Sequence, residues 1–169
     1  LVHEPFVKPA MIAEEKAEFP FILVAPQLPD TEEEWYTEGL MRLVKEIESD
    51  YPIDENRIYC TGLSMGGNGV WKLATRYPDT FAAIAPISGW GDASHICRLR
   101  NANVWAFHGA LDTLIDPEKT LEIVERLQLC NPAAKCTIYP KAKHDAWTET
   151  YHSAEFMDWL LSQKLTKTK

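Results

Sequence analysis

The chain has 169 residues, with 17 Lys and Arg against 25 Asp and Glu for a net charge of −8, and 46% of its residues are hydrophobic. That is enough for one packed domain over 1–169, and an acidic balance without a basic stripe interleaved with aromatics excludes a phosphate backbone, so no nucleic acid partner is expected. Apolar runs such as 21–26 fall well short of the roughly 20 residues that cross a bilayer, so no membrane span is expected.

The chain opens Leu1-Val2-His3-Glu4 without an initiator Met, which leaves its native start and compartment open. No repeat, low-complexity tract or linker divides it. Short apolar runs alternate with stretches of 3.6-residue periodicity, the pattern of an α/β fold whose mostly parallel sheet carries helices on both faces. In chain order, a strand is predicted over 21–25, then a helix over about 33–50 with Tyr36, Leu40, Leu43, Val44 and Ile47 on its apolar face. A strand over 57–61 precedes a helical stretch at 70–76, and strands follow over 82–87 and 104–108. Pro117 at a first helical position and Asp116 as N-cap open a helix that repeats Leu121, Val124 and Leu127. A strand over 136–139 and a last helix from about Ser153, burying Phe156, Trp159 and Leu160, complete the series. Cys60, Cys97, Cys130 and Cys136 lack C-x-x-C spacing and are expected as buried free thiols. Cys130 and Cys136 flank an Asn-Pro turn and form the alternative pair in an oxidising compartment.

The strand over 57–61 runs into Gly62-Leu63-Ser64-Met65-Gly66-Gly67, a G-x-S-x-G between a strand and a helix. Such a turn forces its central serine into a strained conformation, and glycine is expected at 62 and 66 because a Cβ at either would collide with the turn. It also places Ser64 at a helix N-terminus, where free N–H groups favour developing negative charge, and makes the Met65 N–H an oxyanion donor. Phosphate-binding readings fail, since no Lys-Ser/Thr follows the glycines and no G-x-G-x-x-G is completed.

A serine hydroxyl needs a base to take its proton, and in this context the partners follow in the order serine, acid, histidine. His144, just past the strand over 136–139, is the candidate base, while His152 reads as a surface or capping residue. Asp112, in the loop after the strand over 104–108, is the candidate acid; Asp116 already has a capping task, and Asp92 is a weaker alternative. Asp112 would accept the imidazole Nδ1–H and fix its tautomer. His108 reads as a strand-end histidine bonded to loop backbone, and His3 and His95 have no supporting pattern. Trp90 and Trp147 are candidate substrate-binding walls, equally readable as core packing. No metal-ligand spacing occurs, so no metal and no cofactor are expected.

GLSMGGNGVW at 62–71, RYPDTFAAIAPISGWGD at 76–92, VWAFHGALDTLID at 104–116 and KHDAWTETY at 143–151 resemble the bacterial esterases of the α/β-hydrolase superfamily known as predicted peptidases or phospholipase/carboxylesterases. These are relatives of polyhydroxybutyrate-depolymerase-like and feruloyl esterases. FPFILVAPQLP at 19–29 is similar to their segment before the nucleophile. The resemblance implies an α/β-hydrolase fold, the triad Ser64, Asp112 and His144, and a secreted or periplasmic setting. It implies a serine hydrolase cleaving short-chain acyl or aryl esters, with a small-molecule ester as substrate. Peptidase action by the same triad and a non-catalytic binding module are the alternatives. The relatives also carry an apolar strand and His-Gly oxyanion loop ahead of this region, which are not found in Leu1–Glu18. Its absence would leave two strands about 9.6 Å apart, so the domain is expected to be N-terminally incomplete, with an upstream segment or a homo-oligomer filling the gap.

Overall fold

Side-chain alternation decides how the sheet is buried. In the computed structural model, which describes residues 21–165, every residue of strands β2 (Ala83–Ile87) and β3 (Trp105–Gly109) is buried. A strand covered on both faces reads as a continuous apolar run, as these do. They are flanked by β1 (Tyr59–Leu63) and β4 (Lys135–Tyr139) in a parallel sheet of order β1-β2-β3-β4. Tyr59 pairs with Ala83 and Leu63 with Ile87, Ile87 pairs with Phe107, and Trp105 pairs with Lys135 through to Gly109 with Tyr139. All four carboxyl ends therefore lie at one edge.

The period of two splits the core. Ile84, Val104 and Ala106 point into one cluster, while Ala83, Ala85, Ile87, Trp105 and Phe107 point into the other. On the first face lie α1 (Thr37–Asp50), α2 (Met65–Arg76) and α3 (Glu118–Gln128), which contribute Leu40 and Met41, Val70, Trp71, Leu73 and Ala74, and Ile123, Val124 and Leu127. The second face is covered by α4 (Trp147–His152) and α5 (Ala154–Ser162) through Trp147, Tyr151, Phe156 and Leu160. No helix among the described residues is long and apolar enough to cross a membrane.

Local chemistry sets the helix starts. Pro117 is already helical at φ −55° and ψ −28°, and the Asp116 carboxylate accepts the Glu118 N–H at 3.0 Å, so Asp116 caps α3 as expected. Ser153 caps α5 through the Phe156 N–H at 3.2 Å. Phe156 and Leu160 are buried as predicted, while Trp159 is only partly so. α2 begins at Met65, ahead of the predicted 70, because its glycine-rich first turn hides the helical signal.

Three expectations are corrected. Residues 21–25 form no strand; Ile22, Leu23 and Val24 are 51, 42 and 41% exposed, and among the described residues no strand lies alongside to take their backbone hydrogen bonds. The second predicted strand starts at Tyr59, because Glu55–Arg57 closes a 3-10 turn capped by Asp54. Tyr36 precedes α1 and is exposed, with Arg42 over its ring.

Two of the four cysteines depart from both readings, while the other two stay free as expected. Cys97, in the 3-10 segment Ala93–Leu99, is bonded to Cys130 just past α3, with Cα atoms 5.8 Å apart. Cys60 and Cys136 remain free, packed against the first cluster, and burial pushes their thiols up to about 12 and about 11. Cys136 is held on β4, so it is not the partner of Cys130. Closing a loop of 33-residue separation removes chain entropy from the unfolded state. Cys97→Ser is therefore expected to lower the unfolding free energy by roughly 3–4 kcal/mol, read as a lower urea midpoint. A wild-type midpoint indifferent to reductant would show that this bond does not form.

Candidate active site

The backbone ladder continues past the strand ends and fixes the loops that follow. The Ser64 N–H donates to Ile87 O at 2.9 Å, the Ser88 N–H to Phe107 O at 2.8 Å, and the Ala110 N–H to Tyr139 O at 2.9 Å. Ser64 and Ser88 have φ of 53° and 48°, and no other non-glycine residue among those described has positive φ. Such backbone costs free energy and persists only where its surroundings over-determine it. At the Ser64 turn the crowding is one-sided. A Cβ on Gly62 would lie 2.5 Å from Gly66 O, whereas one on Gly66 would meet nothing within 4 Å, so the expected collision at Gly66 does not occur. Gly66 contributes the backbone against which Gly62 closes.

Ser64, His144 and Asp112 come together from three different loops. The imidazole Nδ1 of His144 is 2.7 Å from Asp112 Oδ2, and its Nε2 is 2.9 Å from Ser64 Oγ. A carboxylate only accepts, so Nδ1 carries the hydrogen and Nε2 accepts from the serine hydroxyl. The Asp112 side chain is fully buried, while that of His144 retains 19% exposure. Oδ1 of Asp112 accepts the N–H groups of Leu114 and Ile115 at 2.9 and 3.0 Å. Burial pushes the Asp112 carboxyl up, but the bonds from His144, Ile115 and Leu114 outweigh it and hold the group below the usual range. Asp116 and Asp92 are exposed caps of helical segments and lie outside this arrangement. His152 is exposed, with Nδ1 2.7 Å from Thr148 O, and His95 is exposed; His3 lies outside the described residues.

The flanking residues sort themselves by burial. Met65 opens α2 directly after Ser64, and its carbonyl accepts the Trp35 indole N–H at 2.9 Å. Trp90 is half-buried, with its carbonyl held by the Asn68 amide at 3.0 Å. Trp147 belongs to the second core cluster and stands edge-on to the His144 ring, centroids 5.3 Å apart. Among the described residues no three His, Cys, Asp or Glu side chains are grouped to hold a metal.

Ser88 was not singled out from sequence, and of His108 only the contact with loop backbone was expected. Ser88 is fully buried, and its hydroxyl donates to His144 O at 2.8 Å, tying the histidine loop to the end of β2. His108 does bond loop backbone, at Ile115 O, but it also reaches Asp112. The only sequence signal for either is a polar residue closing an apolar strand.

The histidine loop leaves no room beneath it. A Cβ on Gly109 would lie 1.9 Å from Lys143 O and 2.5 Å from Ala142 O, backbone atoms that cannot swing aside. Gly109→Ala is expected to cost about 1–3 kcal/mol, measured by thermal denaturation. An unchanged melting temperature would show that this loop yields freely.

Comparison with known proteins agrees with this architecture. Over 51 residues, or 30% of its length, the chain is 40% identical to poly(3-hydroxyalkanoate) depolymerase C of Paucimonas lemoignei, covering 12% of that protein. It is 26% identical over 80 residues, 47% of its length, to a bifunctional acetylxylan esterase/xylanase of Neocallimastix patriciarum, again covering 12%. The crystal structure of a thermostable esterase superposes with a TM-score of 0.72 and 33% identity, covering 75% of this chain and 36% of that one. The chain thus spans well under half the length of these relatives. The dienelactone hydrolase family model matches residues 14–157, and with its parallel sheet and covering helices the chain belongs to that family of α/β-hydrolases.

Proposed function

We propose that the protein is a serine hydrolase that cleaves carboxylic esters through an acyl-enzyme on Ser64, working as a single esterase domain. The observation that carries this reading is the unbroken row from Ser64 Oγ through the His144 ring to the Asp112 carboxylate, with contacts of 2.9 and 2.7 Å. Family membership supports hydrolysis, and the relatives named as depolymerase and esterase support an ester as the bond cleaved.

In this mechanism Ser64 Oγ bonds to the ester carbonyl carbon as its proton passes to His144 Nε2. Asp112 stays ionised and stabilises the imidazolium. The carbonyl oxygen takes the negative charge and faces the Met65 N–H at the start of α2, where the helix dipole favours an anion. Collapse of this intermediate breaks the C–O bond, and His144 hands its proton to the departing alkoxide. Water then gives a proton to His144 and attacks the acyl carbon; the proton returns to Ser64 as the acid leaves. Short-chain acyl or aryl esters suit the site, with Trp90 as an aromatic wall. Trp147, packed beneath His144, supports the base ring instead. The buried thiols of Cys60 and Cys136 are pushed to about 12 and about 11, too high for a neutral-pH nucleophile. The Cys97–Cys130 bond supports a secreted or periplasmic setting.

Ser64→Ala is expected to lower kcat on a short-chain aryl ester by on the order of 10⁴-fold or more, and to abolish fluorophosphonate labelling, with circular dichroism unchanged. Retained turnover in a folded Ser64→Ala protein would remove the assignment. Asp112→Asn is expected to cut kcat by up to about 10⁴-fold through the wrong His144 tautomer. Asp116→Asn keeps a capping side chain and is expected to be nearly silent; the reverse order would exchange their roles.

A further inference from the structure

The mechanism above gives no task to a buried histidine beside the Asp112 carboxylate. His108, in β3, is 0% exposed. Its Nδ1 lies 2.8 Å from Thr120 Oγ1, and its Nε2 lies 3.0 Å from both Asp112 Oδ2 and Ile115 O. The partners decide where its hydrogens sit. A carbonyl and a carboxylate only accept, so Nε2 carries a hydrogen shared between them. The Thr120 hydroxyl donates to Gly89 O at 3.1 Å, and its oxygen lies 2.8 Å from His108 Nδ1, which holds the ring in place.

Asp112 Oδ2 then receives two imidazole N–H groups, one from His144 and one from His108, while Oδ1 receives two backbone amides. Four donors leave the carboxylate no free rotation. Asp112, His144 and His108 are the titratable groups joined in this row.

We propose that His108 is a positioning residue for the hydrolysis, acting through Asp112: its Nε2–H anchors the carboxylate oxygen that orients His144, and Thr120 holds its ring. This rests on the serine-hydrolase reading of Ser64, His144 and Asp112. His108 touches neither substrate nor the reacting atoms, so its loss acts on kcat and leaves KM nearly unchanged. Without its donor, Asp112 becomes a stronger acceptor for the His144 Nδ1–H and favours the imidazolium. The base must be neutral to take the serine proton, so the acid limb of the rate profile moves to higher pH.

The test uses the full chain with His108→Leu, which removes the donor, and His108→Gln, whose amide N–H reaches about as far as Nε2. In His108→Leu, kcat on an aryl ester is expected to fall by about 10- to 100-fold, the scale of a misplaced catalytic group, and the acid limb to shift upward. His108→Gln is expected to recover most of the rate and return the limb. Spectra of ¹⁵N-histidine-labelled wild type are expected to show a proton on His108 Nε2. The inference is overturned if wild type is active but His108→Leu changes only the melting temperature, if His108→Gln is as impaired as His108→Leu, or if Nε2 carries no proton. Wild-type protein that neither turns over the ester nor reacts with a fluorophosphonate overturns the hydrolase reading itself, and this role with it.

Discussion

A carboxylate with no access to water organises this molecule's carboxyl edge. Moving such a charge out of solvent costs several kcal/mol unless donors replace its hydration. Asp112 finds four: the Leu114 and Ile115 amides on one oxygen, His108 and His144 on the other. The first two require the 109–116 loop to wrap round its own side chain. The third comes from the strand beneath, and the fourth draws in the loop after β4. Satisfying one buried charge thus dictates the path of two loops and the orientation of an imidazole, with the bonds from His144, Ile115 and Leu114 holding the carboxyl below its usual range against the upward push of burial.

The sheet supplies the rigid frame for this. Parallel order puts all four strand ends together, and a crevice beyond those ends is where open α/β sheets gather ligand-facing groups. Two serines with positive φ, Ser64 and Ser88, mark the ends of adjacent strands β1 and β2. One presents its hydroxyl to His144 Nε2, and the other holds the same residue's backbone carbonyl. The histidine is therefore gripped from both its ring and its main chain by residues that share one kind of backbone strain.

Much of this was legible from residue order. The G-x-S-x-G context, an aspartate after β3 and a histidine after β4 are local patterns, so Ser64, Asp112 and His144 were identifiable before any coordinates. What stayed hidden depends on contacts distant in sequence. Residues 21–25 have the composition of a strand, but a strand is defined by its neighbour, and composition does not say whether one is there. Cys97 and Cys130 meet because the 3-10 segment lies against the end of α3, a fact of packing that spacing does not reveal. His108 was read as bonding loop backbone, which it does; its reach to Asp112 follows from the turn that folds the 109–116 loop back on β3. Gly66 shows the opposite failure, where a motif position was given a steric reason that belongs only to Gly62.

The extension of the sheet's hydrogen bonds into the strand-end loops has a consequence for motion. The amides of Ser64, Ser88 and Ala110 are tied to carbonyls of neighbouring strands, so none of these loops is released without opening the ladder itself. Loops that bind or react are commonly drawn from the least stable parts of a fold. Here the amides of Ser64, Ser88 and Ala110 belong to the same hydrogen-bonded ladder as the buried strands, so they exchange with solvent on the timescale of core opening.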